Sequence, residues 1–334
     1  QQLEGEARKD LTDYYNDTRA ALMEVLLTIM RTGRENDTDA GARGVTARES
    51  DILSVAVRVL HDRHGGDPQP PVILLREGPG EVRTAAVWDD PENDELYRAQ
   101  VRGLLADLHG FSNRMTKFGR LFGDQTTARI DLSRPVDFDI SALAQSGDDV
   151  VAAVLATTWT SAFAAKNAAD VLAEEGLQPR RNHVIIMDEM HRALRASPLM
   201  VEKLDLLTRL NRQWGVGQIM ITHTFKDLMC METPAQNTKA RGFVERSEIK
   251  VLGAWSRIEV DRYLRGECGL PVSRREEDML EDWATPVNFG SDASHKGLGR
   301  FLIKLGGLPG IPINVEMCPL EKSGFNDTNL KWHA

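Results

Sequence analysis

The spacing of apolar positions changes about a third of the way along the chain. From Gln1 to about Arg34, Leu22, Val25, Leu26 and Ile29 form one stripe with no internal proline, which predicts a helix packed on another helix. Residues 35–44 are a polar, glycine-containing linker. Thr46-Ala47-Arg48-Glu49 then spells a capping box, followed by the apolar face Ile52, Leu53, Val55, Ala56, Val59 and Leu60 of a second helix that stops at Gly65-Gly66. The proline-rich stretch from Asp67 to Gly80 reads as a loop around the apolar run Val72–Leu75, holding either a short strand or a single helical turn. Helical spacing resumes over residues 92–111 through Leu96, Val101, Leu104, Leu105 and Leu108. This helical first third is either a lid on the remainder of the chain or an independent helical domain.

From Phe118 onward strand signals enter. Gly119–Asp124 is a turn, and Ala128–Leu132 and Val136–Ile140 are predicted strands, the second alternating so that its acids share one face. Asp148–Glu175 is a long helix, apolar over much of its circumference and so expected to be buried against a sheet. Val184–Met187 is a short apolar run, expected to be a buried parallel strand. Pro198 opens a helix over Leu199–Trp214 that Gly215-Val216-Gly217 terminates, and Ile219-Met220-Ile221 is a second apolar strand. Short helices are predicted from Asp227 and from Thr233-Pro234. Ile249–Leu252 is expected to be a third core strand, with a helix after it through Ile258, Val260, Tyr263 and Leu264. A helix over residues 273–283 begins at Ser273 with Glu276 three positions on. Gly299–Leu305 and Ile311–Glu316 form a hairpin whose Pro312 favours an edge position. The residues beyond Glu321 are polar and expected to wrap the surface.

Strand, crossover helix and strand put the two polar tips, Asp188-Glu189 and Thr222-His223-Thr224, on one edge. In open α/β sheets ligands bind at the carboxyl edge. A carboxylate at the end of a rigid strand keeps its position, and phosphoryl transfer depends mostly on positioning and charge stabilisation. The same octet, Val184–His191, is also compatible with a strand that merely ends in a solvated acid pair, with His191 capping the strand-to-helix turn. The phosphate loop G-x-x-x-x-G-K-[ST] is not found, and the dipeptide Gly-Lys does not occur in the sequence. Because the first residue is Gln, the chain is expected to begin inside a longer protein.

Composition narrows the classes. With 334 residues and 41% hydrophobic content the chain can bury a substantial core in one large or two moderate domains. A net charge of −9 argues against a surface built mainly to coat DNA, although a local basic groove is compatible with it. Cys230, Cys268 and Cys318 are far apart and lack metal-ligand spacing, which predicts reduced thiols in a cytosolic protein and no zinc site. No apolar stretch approaches the ~20 residues that span a bilayer.

Taken together, residues 46–320 resemble the VirB-four family of conjugation and type IV secretion ATPases, in the HerA/FtsK superfamily of hexameric P-loop motors. The resemblance rests on the order of Thr46-Ala47-Arg48-Glu49, Gly119–Asp124, Ile130-Asp131-Leu132, Phe138-Asp139-Ile140-Ser141, Val184–His191, Ile219–Leu228 and the Gly-Arg-Phe-Leu-Ile hairpin. It implies an α/β chain with an incomplete RecA-like P-loop NTPase core and a mostly parallel sheet. The implied organisation is a helical lid or insertion over 1–117, the Walker B half of the core over 118–320, and a polar tail over 321–334. It implies ATP and magnesium, with Asp188 holding the metal through water and Glu189 polarising the attacking water. Where such motors usually place Thr-Gln as a γ-phosphate sensor this chain has Thr222-His223, so sensing differs or is weakened, or His223 is simply a hydrogen-bonded strand terminus. An arginine acting on the neighbouring subunit is implied too, with Arg241, Arg246, Arg257 and Arg300 as candidates. The implied setting is a homo-hexamer at the cytoplasmic face of a membrane secretion complex, driving pilus assembly or substrate transfer. Without the phosphate loop, the chain is expected to be inactive alone. Two other readings stay open: a DNA translocase of the same fold, and a non-catalytic scaffold that kept the motor fold.

Overall fold

The computed structural model describes residues 4–32, 44–64, 75–124, 130–143, 146–196, 201, 204–205, 208–209, 211, 215–228, 234–267, 270–286 and 296–324. It divides into two compact units, Gln1–His223 and Thr224–Ala334.

The first unit begins with helices α1 (Gly5–Thr32), α2 (Ala47–His64), α3 (Gly80–Ala86), α4 (Asp94–Ser112) and the single turn α5 (Gly119–Phe122), followed by the long α6 (Asp148–Glu174). The capping box at α2 forms as the spacing predicts: Glu49 N donates to Thr46 Oγ1 at 3.3 Å and Thr46 N donates to Glu49 Oε2 at 2.9 Å. Glu49 also receives Arg31 from the last turn of α1 at 2.6 Å, while Arg31 Nε reaches Asp107 of α4 at 2.8 Å. One guanidinium thus ties three helices at a half-buried position. Beneath it, Leu27, Ile52, Leu53, Leu60 and Leu104 are almost fully buried in one core, each contributing about 1.5–3 kcal/mol.

Ala152, Ala153 and Ala156 of α6 join that same core. The principal neighbour of α6 is therefore α1, which corrects the expectation that its apolar surface lies against a sheet. Its small alanines let the two helix backbones approach, and its buried residues are concentrated between Val150 and Thr160. Two predicted strands are also absent. Val136–Ile140 forms no strand: Asp139 turns back to accept from Ser141 N at 2.8 Å, and Val136 and Phe138 are exposed. Ile130–Leu132 is likewise not a strand, and Asp131 accepts from Ser133 N at 2.9 Å. In both places a short acidic side chain satisfies the backbone locally instead of a ladder. Ala128 and Arg129 lie outside the described residues, as do Val72–Leu74, after which Leu75 opens a helical turn.

Strand β1 (His183–Met187) pairs in parallel with β2 (Val216–Met220), with Ile186 opposite Ile219 and Met187 opposite Met220. Between them runs α7 (Met190–Ala196), and the described residues Val201, Leu204, Asp205, Thr208 and Arg209 of the later crossover are helical. The rest of the predicted helix Leu199–Trp214 lies outside the described residues. In place of the expected burial of β1 on both faces, Val184 and Ile186 are 66% and 63% exposed, while Met187 is buried. Among the described residues the pair is covered on one face.

The second unit contains α8 (Phe225–Leu228), α9 (Pro234–Arg246), β3 (Ile249–Leu252), a helical stretch of Arg257–Glu259 and a π-type Val260–Glu267, α10 (Arg274–Trp283), β4 (Arg300–Leu305), β5 (Ile311–Asn314) and α11 (Pro319–Gly324). β3 pairs antiparallel with β4, and β4 with β5. The expected third core strand thus belongs to the hairpin's sheet. Pro312 sits on the edge strand β5, where its missing N–H costs no ladder bond. Leu252, Val260, Leu264, Leu280, Trp283 and Leu302 make this unit's core. Cys318 is a free, exposed thiol, and Cys230 and Cys268 fall outside the described residues. No described helix is long and apolar enough to cross a membrane.

Candidate functional site

The acid pair forms a two-residue bridge between β1 and α7. Met187 before it and Met190 after it are both buried. Both are also held by the residue following β2: Ile221 N donates to Met187 O at 2.9 Å, and Met190 N donates to Ile221 O at 3.2 Å. With its ends fixed that closely, the chain turns at Glu189 with φ of 51°, and this is the one non-glycine residue in the left-handed region among the described residues. An L side chain costs about 1–2 kcal/mol there, a strain that persists only where surrounding contacts impose it and that concentrates at functional sites.

The parallel register carries Thr222 and His223 to the same edge. His223 Nε2 lies 2.6 Å from Glu189 Oε1, and His191 Nε2 lies 3.4 Å from Glu189 Oε2. The two imidazole rings are 5.9 Å apart. His223 is well exposed, its side chain 74% accessible, whereas His191 is buried in the first turn of α7 with Nδ1 lacking a hydrogen-bond partner among the described residues. The turn cap expected of His191 is not what forms; the residue lies inside the helix and faces the carboxylate. Asp188 is exposed, and its Oδ1 accepts from Glu189 N at 2.9 Å. Thr222 is half-buried beside them. So four of the residues marked in the sequence meet at one strand edge, joined by His191, to which the sequence pattern assigns a structural role. The available signal is its spacing: a histidine two positions after Glu189 at a strand-to-helix turn can reach back to that carboxylate.

The four arginine candidates belong to the second unit. Arg241 pairs with Glu245 on α9 at 3.1 Å, and Arg246 lies over the Phe243 ring at 5.7 Å. Arg257 opens its helical stretch and Arg300 opens β4, both exposed.

Among the described residues no group of three His, Cys, Asp or Glu side chains could hold a metal by itself. Magnesium keeps several waters and takes one or two carboxylates plus phosphate oxygens. Asp188, exposed at a fixed strand end, has the donor chemistry for such a role. The phosphate-loop motif G-x-x-x-x-G-K-[ST] is not found in this sequence, and the residues gathered at this edge fit the metal, the water and the terminal phosphate of such a site. A cleft of about 350 Å³ opens at the opposite, amino end of β1, between Leu132, Ala169 and His183. It contains none of Asp188, Glu189, Thr222 and His223.

No protein-family model and no curated protein matches the sequence. Among solved structures, the chain is similar to VirB4 of Thermoanaerobacter pseudethanolicus, with a TM-score of 0.56 and 18% identity over 91% of this chain and 70% of that one. At that identity the likeness is one of fold alone: a mixed α/β chain, consistent with an incomplete RecA-like core.

Proposed function

We propose that this chain is the metal- and water-handling half of an ATPase motor of a type IV secretion or conjugation system. The observation that carries the reading is the meeting of Asp188 and Glu189 with Thr222 and His223 at one parallel-strand edge, with Glu189 held in a strained backbone conformation. The fold likeness to VirB4 across 91% of the chain supports it. In this reading Asp188 holds magnesium through water, and the metal supplies charge neutralisation of the phosphates when bound. Glu189 orients and polarises the attacking water, while Thr222 and His223 donate to the terminal phosphate. The phosphate loop comes from sequence outside these residues, so residues 1–334 do not hydrolyse ATP alone.

The motor acts as a homo-hexamer with ATP between subunits, and Arg241, Arg246, Arg257 and Arg300 are the candidates for the residue that crosses to a neighbour's nucleotide. Its work is pilus assembly or substrate transfer, with membrane-embedded secretion components as partners at the inner face of the cell membrane. A second reading, a non-catalytic scaffold with a motor fold, draws support from two contacts: both oxygens of Glu189 already face imidazoles.

The test is ATP turnover by the complete protein beside its Glu189→Gln variant. The motor reading expects turnover to fall about 100-fold or more, in the range seen when a positioned catalytic group is removed, with nucleotide binding kept. Unchanged turnover removes Glu189 from the reaction, and no turnover in the unaltered protein favours the scaffold.

A further inference from the structure

Glu189 is held by two histidines that differ in every respect that governs exchange. His191 is 8% exposed, on the helix whose Met190 and Leu194 are also buried. Its Nδ1 is buried without a hydrogen-bond partner among the described residues, and its Nε2 faces Glu189 Oε2 at 3.4 Å. Among the described residues Nε2 is therefore the ring nitrogen that faces a partner. His223 lies beyond the end of β2, with its side chain 74% exposed, and reaches Glu189 Oε1 from the solvent side at 2.6 Å. A buried ring packed in a helix keeps its rotamer, whereas an exposed ring can turn about its side-chain torsions within nanoseconds.

We propose that the two histidines form an unequal clamp: His191 positions the Glu189 carboxylate permanently, and His223 is an exchangeable latch that gives up Oε1 for a phosphate oxygen when a nucleoside triphosphate arrives. The proposal rests on the nucleotide-site reading above and adds its regulation. While the latch is closed, the His223 imidazole lies against Oε1 and occupies the place a water would take. When His223 Nε2–H donates to the terminal phosphate instead, Oε1 is freed to accept from the attacking water, and Oε2 stays on His191, so the carboxylate does not swing away. Hydrolysis is thereby made conditional on a phosphate at the strand tip, which limits idle turnover. It also gives a role to the histidine at position 223.

Two measurements on histidine-labelled protein test the clamp. In the chain itself, Glu189→Gln should shift the imidazole nitrogen signals of both His191 and His223, and the absence of a shift in either overturns the clamp. In the complete protein, ADP with beryllium fluoride, a phosphate mimic, should move the His223 signal and leave that of His191 in place. Binding of the mimic without movement at His223 overturns the latch alone, whereas no binding at all overturns the latch together with the function it rests on. For positioning, His191→Leu should lower kcat about 10-fold or more with KM within about 2-fold, because it removes an interaction with the reacting group and not with bound substrate. His191→Gln, whose amide can donate from near the position of Nε2, should recover most of that loss. Equal defects in the two variants, or a defect confined to KM, would refute the positioning role.

Discussion

The sharpest energetic prediction concerns Glu276. It caps α10 by accepting from Ser273 N at 2.6 Å, and it also accepts from Gly310 N at 2.5 Å and from Lys304 Nζ at 3.1 Å. Helix, hairpin loop and β4 thus converge on one carboxylate that is 8% exposed, opposite a lysine that is 3% exposed. Burial alone would raise its pKa. The Ser273 and Gly310 amides, the Ser273 hydroxyl and Lys304 outweigh burial and bring it from 4.5 down to about 2. At about 1.4 kcal/mol for each tenfold change in proton affinity, the ionised carboxylate contributes about 3 kcal/mol to this unit. Because the folded pKa is depressed, that contribution is complete above pH 4.5 and is lost as pH falls toward 2. Glu276→Gln removes it at all pH values. Amide hydrogen exchange along β4 reads the opening of this unit by itself. The unaltered chain should be about 3 kcal/mol harder to open than the variant at pH 6, and the difference should shrink to near zero by pH 2. A difference that stays constant between pH 6 and pH 2, or one below about 1 kcal/mol at pH 6, would refute the reasoning. Combining Glu276→Gln with Lys304→Met should restore part of the loss, since the buried ammonium would no longer be left without its carboxylate.

Other sites give simpler expectations. Glu49→Ala removes both the α2 capping box and the pairing with Arg31, and should cost the first unit about 1–2 kcal/mol by denaturant unfolding. Burial favours a raised Glu49 pKa, but Arg31 and the Thr46 amide and hydroxyl hold it below the ordinary value, so this stabilisation should fade as pH drops below 4.5. Gly119→Ala would place a Cβ 1.8 Å from Asn113 O, a contact that only backbone movement relieves; a loss of about 2–4 kcal/mol is expected by thermal unfolding. Leu53→Ala empties a fully buried position in the helical core and should cost about 2–5 kcal/mol, measured in the same way.

Several features of this protein were legible in the residues alone because their causes are local. The capping boxes Thr46–Glu49 and Ser273–Glu276 form as spelled, since a side chain reaching three residues along depends on little else. The hairpin with Pro312 on its edge strand and the succession of β1, helix and β2 also follow from periodicity and turn residues. Tertiary structure decided the rest, because an apolar face states that it will be covered and not by what. The alanine-rich face of α6 found α1 and not a sheet, β3 joined the hairpin, and Val136–Ile140 gave its ladder to local turns. At the site, sequence order brought Asp188, Glu189, Thr222 and His223 to one edge. The left-handed turn at Glu189 and its two histidine partners come from Ile221 fixing Met187 and Met190 across the strand pair, a restraint carried by backbone hydrogen bonds that no residue pattern encodes.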